Sequence, residues 1–164
     1  MTERPHIHVA GVAGVGMSAL AELLLALGYR VTGSDRTVDT GGCSEAIEIL
    51  CRAGLEVVPQ DGRAIAATTA ALAVSTAIEA DNPELLAARR VGVEVVHRAA
   101  LLARLAEGRR LVAITGTAGK TTVTALIGYL LEHTGFDPTV VNGGVVLAWR
   151  SPTRLGNVRI GASP

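Results

Sequence analysis

The sequence predicts an α/β protein in which a parallel sheet carries helices on both faces and a shorter βα unit follows. Along residues 1–108, short apolar runs alternate with helical patterns, which is typical of a parallel sheet wound with helices. Glycine-rich loops at 11–16 and 116–119 each follow an apolar run and precede an apolar helical pattern. Apolar residues, largely Ala, Leu and Val, make up 49% of the chain, as suits helices that cover such a sheet.

Composition argues against several classes of protein. The chain has 15 basic and 15 acidic residues and only four aromatic ones (one Trp, two Tyr, one Phe), so a basic nucleic-acid surface with stacking side chains is not expected. The N-terminus lacks the basic start and apolar run of a signal peptide, and no apolar run approaches the ~18 residues of a membrane helix. We therefore expect a cytoplasmic protein with neither a nucleic-acid nor a membrane partner.

The first glycine loop has the spacing of a dinucleotide-binding fingerprint. The predicted elements are a strand at 7–10, a helix at 19–27 and a strand at 29–34. Gly11, Ala13 and Gly16 occupy the three glycine positions of G-x-G-x-x-G, and Asp35 follows Gly16 by 19 residues. This pattern predicts a diphosphate at the helix N-terminus and a carboxylate near a ribose hydroxyl, with the Ala13 methyl where the backbone normally approaches phosphate closely.

The chain between the two glycine loops continues the alternation. We predict a loop at 36–42, strands at 55–58, 71–75 and 93–96, and helices at 44–53, 63–68, 85–91 and 99–106. Ser75, Thr76 and Asn82 follow the carboxyl end of a buried strand, where open α/β sheets bind ligands. The structural alternative is that Asn82 only starts the next helix. The polar pair His97 and Arg98 either binds phosphate or is solvated, and solvation is favoured.

The second glycine loop has the residues of a phosphate cradle. A run at 111–115, interpreted as a buried strand, leads to Gly116 and Gly119, then to Lys120, two threonines and a helix at 123–133. Glycine backbone N–H groups, the helix dipole and the lysine ammonium all favour phosphate, and Thr121 stands where such loops offer a hydroxyl to Mg²⁺. The match to G-x-x-x-x-G-K-[ST] is partial because Ile114 holds the first glycine position. A plain glycine turn with a solvated lysine is the structural alternative.

Together these segments resemble the Mur ligases. The resemblance is carried, in family order, by residues 7–18, 28–35, 75–78, 81–84, 116–122 and 137–144. It implies an ATP-dependent acid–amino-acid ligase of cytoplasmic peptidoglycan precursor synthesis, which joins L-alanine to UDP-N-acetylmuramate through an acyl phosphate. It further implies a Rossmann-like UDP-sugar-binding domain over 1–108 and the beginning of a central P-loop ATP-binding domain over 109–164.

The resemblance also assigns roles to individual residues. Lys120 and Thr121 would be catalytic, the first stabilising charge on the transferring phosphoryl group and the second ligating Mg²⁺. The residues expected to bind ATP are Gly116, Thr117, Ala118, Gly119, Lys120, Thr121 and Thr122. The residues expected to bind the UDP-sugar are Gly11, Ala13, Gly14, Val15, Gly16, Met17, Ser18, Asp35, Ser75, Thr76 and Asn82. The family usually carries glycine where Ala13 stands and histidine where Ala118 stands.

Three other interpretations stay open: a murein-peptide ligase of the same family, an isolated UDP-sugar-binding module, and an NAD-dependent oxidoreductase. The first loop and Asp35 fit the oxidoreductase equally well, but such an enzyme has no use for the second loop. No acidic residue follows Asp137, so a carboxylate for Mg²⁺ from a later strand is not supplied. We expect the chain to bind the UDP-sugar without catalysing ligation alone, with the L-alanine site lying outside it.

Overall fold

A computed structural model describes residues 4–42 and 44–162, so the predicted domain ends at residues 1 and 164 lie outside the described part. Within it, five parallel strands form the main sheet in the order β3-β2-β1-β4-β5, and an antiparallel pair, β6 and β7, forms a second sheet. The strands are β1 (His6–Ala10), β2 (Arg30–Ser34), β3 (Glu56–Val57), β4 (Thr69–Val74), β5 (Glu94–His97), β6 (Val140–Val141) and β7 (Val158–Arg159). The helices are α1 (Val15–Ala26), α2 (Arg36–Asp39), α3 (Glu45–Arg52), α4 (Pro83–Val91), α5 (Arg98–Leu105) and α6 (Lys120–His133), with a 3₁₀ turn at Leu147–Trp149.

Helices pack on both faces of the main sheet, which confirms the predicted fold class. Alternate residues of β4 enter two separate cores, because successive strand side chains point to opposite faces. Ala71 and Ala73 join the core that includes residues of α1, α3 and α5, whereas Leu72 joins the core that includes residues of α4. The strand order reverses between β1 and β4, and such a switch point opens a crevice at the carboxyl ends of the strands. The first glycine loop leaves β1 at this crevice.

The predicted helix at 63–68 is wrong. This segment consists of turns and irregular chain, in which Asp61 accepts a hydrogen bond from the Arg63 N–H and Thr69 Oγ1 accepts one from the Ala66 N–H. These side-chain hydrogen bonds hold backbone N–H groups in turns and so compete with helical hydrogen bonds. Here only Ile65 is buried, in the α4 core.

The predicted buried strand at 111–115 is also wrong. No strand within residues 4–42 and 44–162 pairs with this segment, and Leu111 and Val112 are 70% and 66% exposed. A strand depends on a neighbour for its backbone hydrogen bonds, so an apolar run without one stays irregular.

Two elements before residue 42 also differ from the prediction. The predicted loop at 36–42 contains the one-turn helix α2, which is capped by Asp35. Helix α1 begins at Val15 rather than at residue 19, so the end of the first glycine loop is already helical. The division into domains at residue 108 stays a prediction. The β6–β7 part packs on the first sheet's helices, with Val158 in one cluster with Ala19 and Leu23 of α1.

Candidate functional site

The first glycine loop presents an open helix N-terminus at the crevice. Gly11 has φ +69°, a conformation that disfavours side chains, and it turns the chain sharply out of β1. Gly14 is the N-cap of α1, no side chain caps this end, and the first turn holds no acidic residue. Val15 is 61% exposed. This helix end therefore offers its dipole and outward-facing backbone to an anion.

Asp35 braces this loop. Its Oδ2 accepts a hydrogen bond from the Ala13 N–H at 3.0 Å and its Oδ1 accepts one from the Thr37 N–H at 2.9 Å, while the residue is only 8% exposed. The Ala13 methyl packs against the main core. Asp35 thus ties the loop to α2, and the Ala13 side chain is partly withdrawn into the protein.

Arg98 lies directly over the first glycine loop. A Cβ atom built on Gly16 would stand 2.5 Å from Arg98 Nη1 and 2.9 Å from its Cζ, so a side chain at this position would displace the flexible guanidinium. Arg98 is half-buried with its guanidinium beside Gly16, so the choice between phosphate binding and solvation stays a prediction. His97 is exposed and its Nδ1 accepts a hydrogen bond from the Ala99 N–H, so it caps α5. The pairing of Arg98 with Gly16, 82 positions apart, left no local signal in the sequence.

Gly33 is a residue of this site that sequence reasoning missed. A Cβ there would lie 2.9 Å from Val12 Cγ1, so this glycine lets the first loop settle closely on β2. Its only sequence signal is a glycine inside a strand, which often marks a close backbone approach.

The other residues predicted to bind the UDP-sugar differ in how deeply they are buried. Met17 and Ser18 are each 3% exposed, and their N–H groups donate to the Gly14 carbonyl, so they support the loop from within. Asn82 is 4% exposed and its Oδ1 accepts from the Glu84 and Leu85 N–H groups, which is the helix-capping alternative. Ser75 is partly exposed and Thr76 exposed, after the carboxyl end of β4.

The second glycine loop is exposed and wraps the lysine amine. Gly116 has φ +146°, and Gly119, the N-cap of α6, has φ +75°. Lys120 Nζ donates to the Gly116 carbonyl at 2.6 Å and to the Thr117 carbonyl at 3.4 Å. No side chain caps α6 and its first turn holds no acidic residue. Residues 116–122, which include Ala118 and Thr122, are all exposed.

A cleft of about 450 Å³ separates the helices of the first sheet from α6 and β6. Its walls are largely apolar, with Leu23 and Leu102 on one side and Ile127 on the other. Arg98 and Gly143 also line it, so the cleft runs from the neighbourhood of the first loop to that of the second.

Comparison with known proteins gives one family. Residues 6–110 match the family described as "Mur ligase family, catalytic domain". The UDP-N-acetylmuramate--L-alanine ligase of Laribacter hongkongensis is 43% identical over 152 residues, which are 93% of this chain and 31% of that protein. The protein of the same name from Rhodopseudomonas palustris is 45% identical over 150 residues, 92% of this chain and 31% of its own. The chain thus spans about a third of the length of the curated relatives it matches.

Solved structures give the same result for the fold. The UDP-N-acetylmuramate-alanine ligase MurC from Thermotoga maritima is 30% identical with a TM-score of 0.82, over 97% of this chain and 35% of that one. A murein peptide ligase from Psychrobacter arcticus is 26% identical with a TM-score of 0.80, over 98% and 34%. In the described part of the chain, no helix is both long enough and apolar enough to span a bilayer.

Proposed function

The chain belongs to the Mur ligase family, and from this we propose that it supplies the UDP-sugar site and the nucleotide loop of an ATP-dependent ligase joining L-alanine to UDP-N-acetylmuramate. The reaction is a cytoplasmic step of peptidoglycan precursor synthesis. A murein peptide is the alternative acceptor. L-alanine is favoured because curated relatives named as L-alanine ligases are 43–45% identical to this chain. Among the solved structures the L-alanine ligase is 30% identical and the murein peptide ligase 26%.

The observation that carries the UDP-sugar proposal is the pairing of a helix N-terminus with a cation at the switch point. The uncapped end of α1 and the Arg98 guanidinium over Gly16 both favour a diphosphate. Asp35 holds the loop in place and acts as a positioning residue, because both of its oxygens already accept backbone hydrogen bonds.

The second loop fits a nucleoside triphosphate. The end of α6 is uncapped, a Cβ on Gly119 would meet open space, and the Lys120 amine lies over the loop where it can exchange carbonyl partners for phosphate oxygens. ATP, when bound, supplies the phosphoryl group that activates the substrate carboxylate. Lys120 would stabilise charge there and Thr121 would offer its hydroxyl to Mg²⁺. No cluster of three or more His, Cys, Asp or Glu side chains suited to a metal occurs in residues 4–42 and 44–162. Nucleotide oxygens and water would contribute to the Mg²⁺ shell beside Thr121.

Calorimetric titration tests the UDP-sugar site. We expect the chain to bind UDP-N-acetylmuramate and not NADH, and we expect Arg98→Ala to weaken that binding roughly tenfold or more, because a charge-assisted contact to the diphosphate is lost. Arg104→Ala is the matched control, since Arg104 lies on the same helix but pairs with Glu94. Heat with NADH and none with the UDP-sugar would refute the ligase assignment.

A further inference from the structure

Two glycines that the proposed function does not use lie against Thr121. They belong to the bend formed by Asn142, Gly143 and Gly144 directly after β6, here called the 142–144 bend. A Cβ built on Gly144 would lie 2.9 Å from Thr121 Cγ2, and one built on Gly143 would lie 3.2 Å from Thr121 Oγ1. The two positions therefore face the two different branches of one threonine side chain.

Asn142 holds the bend in its shape. It is 4% exposed, its Oδ1 accepts from the Gly143 N–H at 3.0 Å, and its Nδ2 donates to the Gly144 carbonyl at 3.2 Å. Its own N–H donates to the Asn157 carbonyl at 2.8 Å. The two side-chain hydrogen bonds fix the shape of the bend, and the bond to Asn157 ties its start to the chain before β7, so moving the bend away from Thr121 would strain that backbone hydrogen bond.

Helix α6, which carries Thr121, is also held in place, by close packing on β6. Gly128 follows Thr121 by two helical turns and so lies on the same face. A Cβ on Gly128 would stand 2.8 Å from Val140 Cγ2 of β6. The helix is thus pressed onto β6 along the face that carries Thr121, and it has no room to shift toward the bend.

Backbone conformation does not explain the two glycines. Neither Gly143 nor Gly144 has the positive φ that favours glycine, unlike Gly116 and Gly119. Because glycine has no side chain, both positions leave space free, and atoms of Thr121 lie in that space.

We propose that the 142–144 bend is a wall of the nucleotide site that sets the position of the Thr121 hydroxyl for Mg²⁺. The proposal rests on the proposed function, because the hydroxyl has an ion to meet only if the second loop binds a nucleotide. The bend residues are positioning residues: they act through Thr121.

The test is the affinity of the full 164-residue chain for ATP, measured by calorimetry with Mg²⁺ and with EDTA. We expect Gly144→Ala to weaken Mg²⁺–ATP binding roughly five- to a hundredfold, since its methyl displaces Thr121, and to leave metal-free ATP affinity within about twofold. Thr121→Ser removes Cγ2 and keeps the hydroxyl. It serves as the reference for the double variant: adding Gly144→Ala to Thr121→Ser should weaken Mg²⁺–ATP binding by less than about twofold further, so that serine rescues the Gly144 variant.

Gly143→Ala is the matched control for this rescue. Its methyl would press on Oγ1, which serine retains, so Thr121→Ser should not restore the affinity of Gly143→Ala. Thermal unfolding of each variant separates a loss of fold from a loss of the metal contact.

The outcomes discriminate between the two proposals. Equal loss of ATP affinity with and without Mg²⁺, unchanged affinity in Gly144→Ala, or rescue of both alanine variants by serine would overturn the role of the bend while leaving nucleotide binding intact. Failure of the unaltered chain to bind Mg²⁺–ATP would instead overturn the proposed nucleotide site, and the role of the bend with it.

Discussion

At the scale of single residues, the polar side chains of the first sheet act mainly by holding loops and strands in place. Asp35 stands at the position expected for a ribose contact, yet its oxygens accept hydrogen bonds from Ala13 and Thr37. Asn82 stands where a ligand contact was expected and caps α4. In both cases the polar side chain accepts hydrogen bonds from backbone N–H groups of a loop or of the first turn of a helix. These N–H groups would otherwise lack a partner.

Two buried polar side chains also satisfy each other by a hydrogen bond, which their spacing in the sequence does not reveal. His8 of β1 and Glu84 of α4 are both fully buried, with His8 Nε2 and Glu84 Oε1 2.7 Å apart, and His8 Nδ1 lies 2.7 Å from Thr32 Oγ1. We expect Glu84→Leu to lower the free energy of unfolding by about 1–3 kcal/mol, because the buried His8 Nε2 then keeps only the longer contact to Ser34 Oγ at 3.4 Å. Urea unfolding measures the change.

The double variant His8→Leu/Glu84→Leu checks this explanation. It should be more stable than Glu84→Leu alone, since both polar partners are then removed together. A double variant as unstable as the sum of the two single variants would show that the pair is not coupled.

At the scale of elements, α6 is positioned by close packing at a glycine. Alanine at Gly128 would improve helix propensity by about 1 kcal/mol. Its methyl would however lie 2.8 Å from Val140 Cγ2 and 3.0 Å from Trp149 Cη2, and such overpacking costs about 1–3 kcal/mol. We therefore expect Gly128→Ala to lower the melting temperature. Val140→Ala in the same chain should recover part of the loss, and a melting temperature raised by Gly128→Ala alone would show that the helix can move away from β6.

The difference between helices and strands explains why the predicted strand at 111–115 is missing. Residues 111–115 have the apolar composition of a buried strand, and α6 after them begins at Lys120, three residues before the predicted start at 123. A helix satisfies its backbone within its own segment, whereas a strand needs a partner in space. Local pattern was therefore sufficient for α6 and insufficient for 111–115.

At the scale of the whole molecule, the β6–β7 part docks on α1 through a contact that contains a carboxyl group. Glu22 is 5% exposed, and burial raises its pKa from 4.5 to about 7, opposed in part by the Leu155 N–H and by Arg154. Its Oε2 has no hydrogen-bond partner among the described residues. The folded protein thus keeps this group protonated at pH values where the unfolded chain would ionise it.

This contact predicts the sign of a pH dependence. Since the folded pKa lies above the unfolded one, the Glu22 contribution to stability is greatest below about pH 4.5, falls as the pH rises to about 7, and is level beyond that. Glu22→Gln should flatten the melting temperature between pH 5 and 8 and raise it at pH 8. The exposed Glu107→Gln variant is the control, and an identical pH profile for Glu22→Gln and the unaltered chain would refute the effect.

The sequence by itself determined the order of most elements, the parallel α/β class and the positions of the two glycine loops, because periodicity, glycine spacing and helix signals are local properties. Only the tertiary structure decided which residues meet: Arg98 over Gly16, Glu84 beneath His8, and the 142–144 bend against Thr121. These contacts join residues 22 to 82 positions apart. Arg98 and Thr121 each approach a glycine closely, and Glu84 approaches His8 where α4 packs on the sheet. That approach depends on packing in three dimensions, for which a single sequence carries no periodic signal.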